Sequence, residues 1–251
     1  MNWSSNLKQF IILLVAFFPL ISCDKSVEDA SKNGAKKKNS VTIEEEQYLS
    51  LVAPTTKIGD QSWLYKNLDL DTFQNGEKIP QSLSQKEWKE ASDQQKPCWA
   101  YYGFSKSPKS EGQTKLYNWY ATSKMFRIGD SQQIGDNVLP VNCSNFYQKL
   151  PSSQDYEKLI SFLGDDAGEK LKKHHPWGDN KAVDYDFNAV KTGFINSKGE
   201  CFSEDYNTIF WTRESIDNKY SNGVFITEDS KQVSFQKINK GFGCAIRSIK
   251  K

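Results

Sequence analysis

The stretch LPSSQDYEKLISFLG, Leu150 to Gly164, decides how the rest of the chain is read. Pro151 ends an extended segment, because its ring restricts the residue before it and it has no amide hydrogen to give. Ser152 and Asp155 have the spacing of a capping box, in which two side chains satisfy backbone N–H groups that the first helical turn leaves without partners. Tyr156, Leu159, Ile160 and Leu163 follow at i, i+3, i+4 and i+7 and so share one apolar stripe. Gly164 supplies a left-handed stop. The spacing predicts one well-bounded amphipathic helix on which the sheet of the domain packs.

Outward from this helix the chain alternates short strands with turns. Ile58-Gly59-Asp60 is a turn signal, and Trp63, Leu64 and Leu68 begin an apolar strand or strand pair. Asn75-Gly76 has the chemistry of a two-residue hairpin turn. Ser84 and Glu87 repeat the capping-box spacing and open a short helix with Trp88 and Ala91 inward. The aromatic run CWAYYGF (Cys98 to Phe104) precedes KLYNWYATSKMF, where Leu116, Trp119 and Tyr120 suit a short helix or a strand end equally. Past the central helix, period-two alternation returns at Ile209 and Trp211, at Val224 and Ile226 after a Ser221-Asn222-Gly223 turn, and at Val233 and Phe235. The end of the chain puts Cys244, Ile246 and Ser248 on one face. These are antiparallel-sheet signals around few helices, which is an α+β pattern.

The beginning of the chain is an address. One charge, Lys8, precedes the apolar run Phe10 to Ile21, about a dozen residues and too short for the roughly 20 that span a bilayer. The run ends in Leu20-Ile21-Ser22-Cys23, which resembles a bacterial lipobox. That resemblance implies a signal peptide over residues 1–22 and acylation of Cys23, with palmitate-type chains anchoring the protein to a membrane, most naturally the outer membrane and in part the cell surface. More than one acyl chain is what makes such anchoring stable. Residues 23–56 are polar, with Lys36-Lys37-Lys38 and Glu44-Glu45-Glu46, and read as a lipidated terminus and solvated tether. The remaining 57–251 form one domain, long enough to bury a core without staples.

Without the signal peptide the chain has 32 basic and 31 acidic residues. That balance offers nothing to nucleic acid and no polybasic membrane patch. Two histidines, His174 and His175, are adjacent, point apart on any regular element and have no third ligand at metal spacing. They also rule out a Ser/His/Asp arrangement by motif, since no nucleophile elbow is present. Asp165-Asp166 and the Asp184/Asp186 pair stand at turns, where carboxylates are solvated or cap backbone. The residues therefore nominate no catalytic group, metal site or cofactor.

The ordered blocks IGDQSWLYKNLDLDTFQNGEKIP, PCWAYY, KLYNWYATS, KLPSSQDYEKLISFLGDDAGEKLK, NSKGECFS, FWTRES and GCAIRSIK resemble the Fibrobacter succinogenes major paralogous (FISUMP) domain over about residues 57–250. The resemblance implies a C-type-lectin-like fold: a twisted antiparallel sheet, two helices and long loops. It also implies disulfides. The family's cysteine positions hold Ala100 and Ser248 here, with Cys98 and Cys244 nearby, so the resemblance implies a Cys98–Cys244 bridge and a second one between Cys143 and Cys201. The residues alone leave the three pairings of four cysteines open.

Lectins of that fold bind sugar through calcium with Glu/Gln-Pro-Asn/Asp and Trp-Asn-Asp tripeptides, and neither is present. KLPSSQDYEKL, HPWGDN and AIRS also resemble the formylglycine-generating branch of the superfold, whose chemistry needs two cysteines near the C-terminus; here only Cys244 lies there. What remains is aromatic. Of the tryptophans after residue 23, Trp63, Trp88, Trp99, Trp119 and Trp211 have apolar neighbours and read as core. Trp177 and Tyr206 lie in polar loop sequence, where a ring can stack on a sugar or anchor a protein. The expected function is non-catalytic recognition of a glycan or a surface protein, with a structural or assembly subunit of a cell-surface complex as the alternative.

Overall fold

The computed structural model describes residues 55–73, 77–110, 112–126, 138–140, 147–172 and 186–250. Before the central helix these form β1 (Thr55–Ile58), β2 (Gln61–Leu64), α1 (Gln85–Asp93), β3 (Trp99–Ala100), β4 (Leu116–Tyr117), α2 (Trp119–Met125), β5 (Val138–Pro140) and β6 (Tyr147–Lys149). Then come α3 (Ser153–Leu163), α4 (Ala167–Leu171), β7 (Phe194–Ile195), β8 (Cys201–Phe202), β9 (Asn207–Ser215), β10 (Tyr220–Thr227), β11 (Ser234–Asn239) and β12 (Ile249–Lys250). The α+β class holds. The expected single sheet and two helices do not: the described residues contain four helices and four small antiparallel sheets, ordered β1-β2-β12-β6-β5, β11-β10-β9, β3-β4 and β7-β8.

The reason lies in the C-terminal segment, which passes every sheet in turn instead of adding one long strand to one of them. Gly243 bridges Ile195 of β7, Cys244 bridges Tyr117 of β4, and Ala245 bridges Phe210 of β9. Leu68 N–H then donates to Ile246 and Leu64 N–H to Ser248, and Ile249 pairs with both Trp63 and Lys149. Residues 244–248 are buried on both faces, so the predicted one-sided strand is two-sided. Each strand met along the way shares only one or two paired residues with this segment.

The central helix forms where its spacing places it. Ser152 and Asp155 make both halves of the capping box, and Tyr156, Leu159 and Leu163 are buried. They pack on the inner face of β2 and β12, where Trp63 meets Tyr156 at 5.0 Å between ring centroids. Gly164 has φ 83° and ψ −163°, an extended left-hand region open essentially to glycine alone, and not the helical left-handed stop. In α1, Ser84 caps Glu87 N–H, but the Glu87 carboxylate reaches one residue further back, to Leu83 N–H at 2.7 Å. The KLYNWYATSKMF stretch is both strand and helix, with Asn118 capping α2 between them. Trp63, Trp88, Trp99, Trp119 and Trp211 are all buried. Three of them fix backbone carbonyls: Trp88 to Gly241, Trp99 to Ile79 and Trp211 to Tyr117.

Two further expectations are corrected. Ser221-Asn222-Gly223 is not a turn but lies inside β10, at a register shift against β9, and a Cβ on Gly223 would come within 2.7 Å of Ile238. The turn is at Asp217, whose carboxylate accepts from Lys219 and Tyr220 N–H. The Cys98–Cys244 bridge is absent, and Cys98, Cys201 and Cys244 are free thiols. Strand β4 stands between the first two: Tyr117 pairs with Trp99 on one side and Cys244 on the other. That separation is two strand spacings, about 10 Å, against the ~7 Å a disulfide can cross. Cys143 lies outside the described residues.

Candidate functional site

Of the residues nominated by sequence, Cys23, Cys143, Trp177, His174, His175 and Asp184 lie outside the described residues. Tyr206 is described, and it is 41% exposed on the turn that joins β8 to β9. That turn is the candidate site.

Its foundation is the β7–β8 hairpin. Asn196 closes the hairpin by accepting the N–H groups of Lys198 and Glu200 at 2.9 and 3.0 Å, and Gly199 follows with φ 80°. Phe194 and Phe202 are cross-strand partners, so their rings stack at 5.5 Å and 20°. Phe242 stacks on the other side of Phe194 at 5.6 Å and 9°. The result is a three-ring ladder rooted at the core, and its outer ring, Phe202, is 42% exposed.

The turn then reverses through Ser203, at φ 59°, whose carbonyl accepts from Tyr206 and Asn207 N–H. Gly193 makes the close approach possible: it has φ 57°, and a Cβ there would lie 2.5 Å from Phe202 O and 2.8 Å from Glu204 N. Thr192 and Gly193 N–H both donate to Asn207 O, and Thr192 and Thr208 hydroxyls meet at 2.9 Å behind the turn. On the outside, Glu228 N–H donates to Tyr206 O, and the Tyr206 hydroxyl donates to the Asp229 carboxylate. This bond raises the Tyr206 phenol above its ordinary pKa and holds Asp229 below the usual carboxylate value.

Two exposed rings thus stand at the end of β8 and on the turn that follows it, with Glu228 and Asp229 acting on Tyr206 and with Glu204 and Asp205 exposed on the same turn. Glu228 is tied to Lys191 at 2.8 Å. Beneath the turn, burial pushes the Cys201 thiol upward, with a Gly103 N–H bond opposing, so the sulfur is protonated at neutral pH. Burial pushes the Cys98 thiol to about 12 and Cys244 well above its ordinary value. None of the three is a thiolate nucleophile. Among the described residues, no group of three His, Cys, Asp or Glu side chains is placed to hold a metal ion.

Sequence reasoning found Tyr206 from its polar surroundings and missed Phe202. The available signal was Phe194 and Phe202 on either side of the Asn196–Gly199 turn, which makes them cross-strand partners.

The sequence matches the family described as the Fibrobacter succinogenes major domain across residues 56–250. No curated protein and no solved structure matches the chain. The blocks that carry the resemblance include the central helix, the β7–β8 hairpin and the C-terminal segment that joins the sheets, and with a match spanning most of its length the chain belongs to the Fibrobacter succinogenes major domain family.

Proposed function

We propose that this is a non-catalytic recognition domain of C-type-lectin-like fold, held at a membrane by lipid on Cys23 and facing outward from the outer membrane. The observation that carries the reading is the pair of exposed rings, Phe202 at the end of β8 and Tyr206 on the turn after it, which the fold braces from behind. An aromatic ring held in place costs little entropy on binding, and carboxylates beside it accept hydrogen bonds from hydroxyl groups. A glycan offers both an apolar ring face and a rim of hydroxyls. Thiols held protonated, two of them buried and Cys201 half-buried, support a role without covalent chemistry.

The test is a glycan array probed with the full-length chain in detergent, with and without a calcium chelator. The reading expects specific binding that survives chelation and falls about tenfold or more, ~1.4 kcal/mol, in Phe202→Ala and Tyr206→Ala. Binding that is unchanged in both variants would place recognition elsewhere.

One observation favours a second reading, assembly into a cell-surface complex. Strand β11 is the outer strand of its sheet among the described residues, and its Phe235 is exposed. An open edge can accept a strand from a partner protein. Cross-linking at Ser234 or Gln236 that captures one partner in stoichiometric yield, with silence on the array, would favour it.

A further inference from the structure

Arg247 is completely buried between α3 and the sheet, and no Asp or Glu among the described residues lies within ion-pair distance of it. Its guanidinium carries five N–H groups. Nε donates to Asn67 Oδ1 at 3.2 Å, and Nη2 gives one hydrogen to the same oxygen at 2.6 Å. Nη1 donates to Leu64 O at 2.9 Å and to Phe187 O. One Nη2 hydrogen is left over. The rings of Phe187 and Phe210 lie 4.4 and 5.4 Å from the guanidinium carbon and offset part of the charge.

Two more donors in the same layer have no partner. Trp63 Nε1 and the Tyr156 hydroxyl are both buried without a hydrogen bond. Trp63 touches Tyr156 at 5.0 Å and Phe187 at 5.6 Å between ring centroids, and Phe187 is the ring under Arg247. Tyr156 is also close enough to Arg247 for the guanidinium to favour its ionised form, although burial outweighs this and keeps the phenol protonated. The cluster is therefore one net positive charge with three spare hydrogens, and the carboxylate that acts on Tyr156, Asp155, is engaged by Lys149 and makes no ion pair with Arg247. Leaving such donors unsatisfied in an interior is costly, and an uncompensated buried charge costs more.

We propose that Trp63 Nε1, the Tyr156 hydroxyl and Arg247 Nη2 together hold one small monatomic anion, chloride under ordinary conditions, beneath α3. A halide accepts from all three donors, brings no hydrogen of its own and neutralises the guanidinium. A water molecule can meet the donors but leaves the guanidinium charge uncompensated.

The test uses the full-length chain in detergent. Its Tm is followed as sodium chloride replaces sodium gluconate at fixed ionic strength, and crystals grown in sodium bromide are examined for anomalous scattering. The expected result is a saturable rise in Tm with chloride and with bromide, and a bromide peak between the three side chains. Tyr156→Phe keeps the ring and removes one donor, so it should fold and require about tenfold more chloride for the same rise. Arg247→Met should lose the response altogether where it folds. A Tm indifferent to chloride, a response undiminished in Tyr156→Phe, or a bromide map empty at the cluster with water density in its place would each overturn the proposal.

Discussion

A side chain at Gly193 has nowhere to go, and this single position ties the site to the fold. Its φ of 57° strains any L residue, and the atoms a Cβ would meet are backbone, which cannot swing aside. Gly193→Ala is expected to cost about 1–3 kcal/mol in urea unfolding and to weaken ligand binding through the displaced turn. A substitution that is neutral in both would show that the turn is not braced there. The cysteines make a second statement at this scale. Cys98 and Cys244 should resist iodoacetamide in the folded protein and react fully in denaturant, whereas half-buried Cys201 should react at an intermediate rate. Mass spectrometry of a non-reduced digest that recovers a Cys98–Cys244 peptide pair would contradict the strand geometry. Residue-level reading of the sequence reached Tyr206 because polar neighbours mark an exposed ring. It did not reach Phe202 or the missing bridge, since both depend on which segment lies beside which.

The most legible element was α3, because every signal for it is local: a cap, a stripe and a glycine within fifteen residues. Asp155 carries much of the start. Burial works against its ionisation, but the Ser152 N–H and hydroxyl and the Lys149 ammonium outweigh it, so its folded pKa lies below the ordinary value. Its stabilisation is therefore in place above the unfolded pKa, about 4, and fades as the pH falls through the lower folded value. Asp155→Asn is expected to lose about 1 kcal/mol at pH 7, with the gap to the parent closing as the pH falls below the ordinary carboxylate range. An equal gap at both pH values would show that the charge is not what the cap uses. By contrast, β10 was misread at Ser221-Asn222-Gly223, whose composition is that of a turn. There the glycine is required by the close approach of Ile238 and Ile209 from neighbouring strands, a tertiary cause with no local mark.

At the scale of the molecule, the chain is organised by its last ten described residues, which bridge β7, β4, β9, β2 and β6 in succession. Ending the chain before Gly241 should abolish cooperative thermal unfolding and not merely lower Tm, because every sheet loses a partner together. Retention of a sharp transition would contradict that role. Sequence periodicity identified this segment as a strand but not as a junction, since a period of two reports which face is buried and not how many sheets are met. The central claim concerns what such a scaffold holds outward: two aromatic rings at a rigid turn, used for recognition. The most direct measurement is glycan-array binding by the full-length chain in chelator, compared between the parent and Phe202→Ala with Tyr206→Ala combined. The account predicts specific binding in the parent and its loss in the folded double variant. Equal binding by both proteins, or none by the parent, would contradict it.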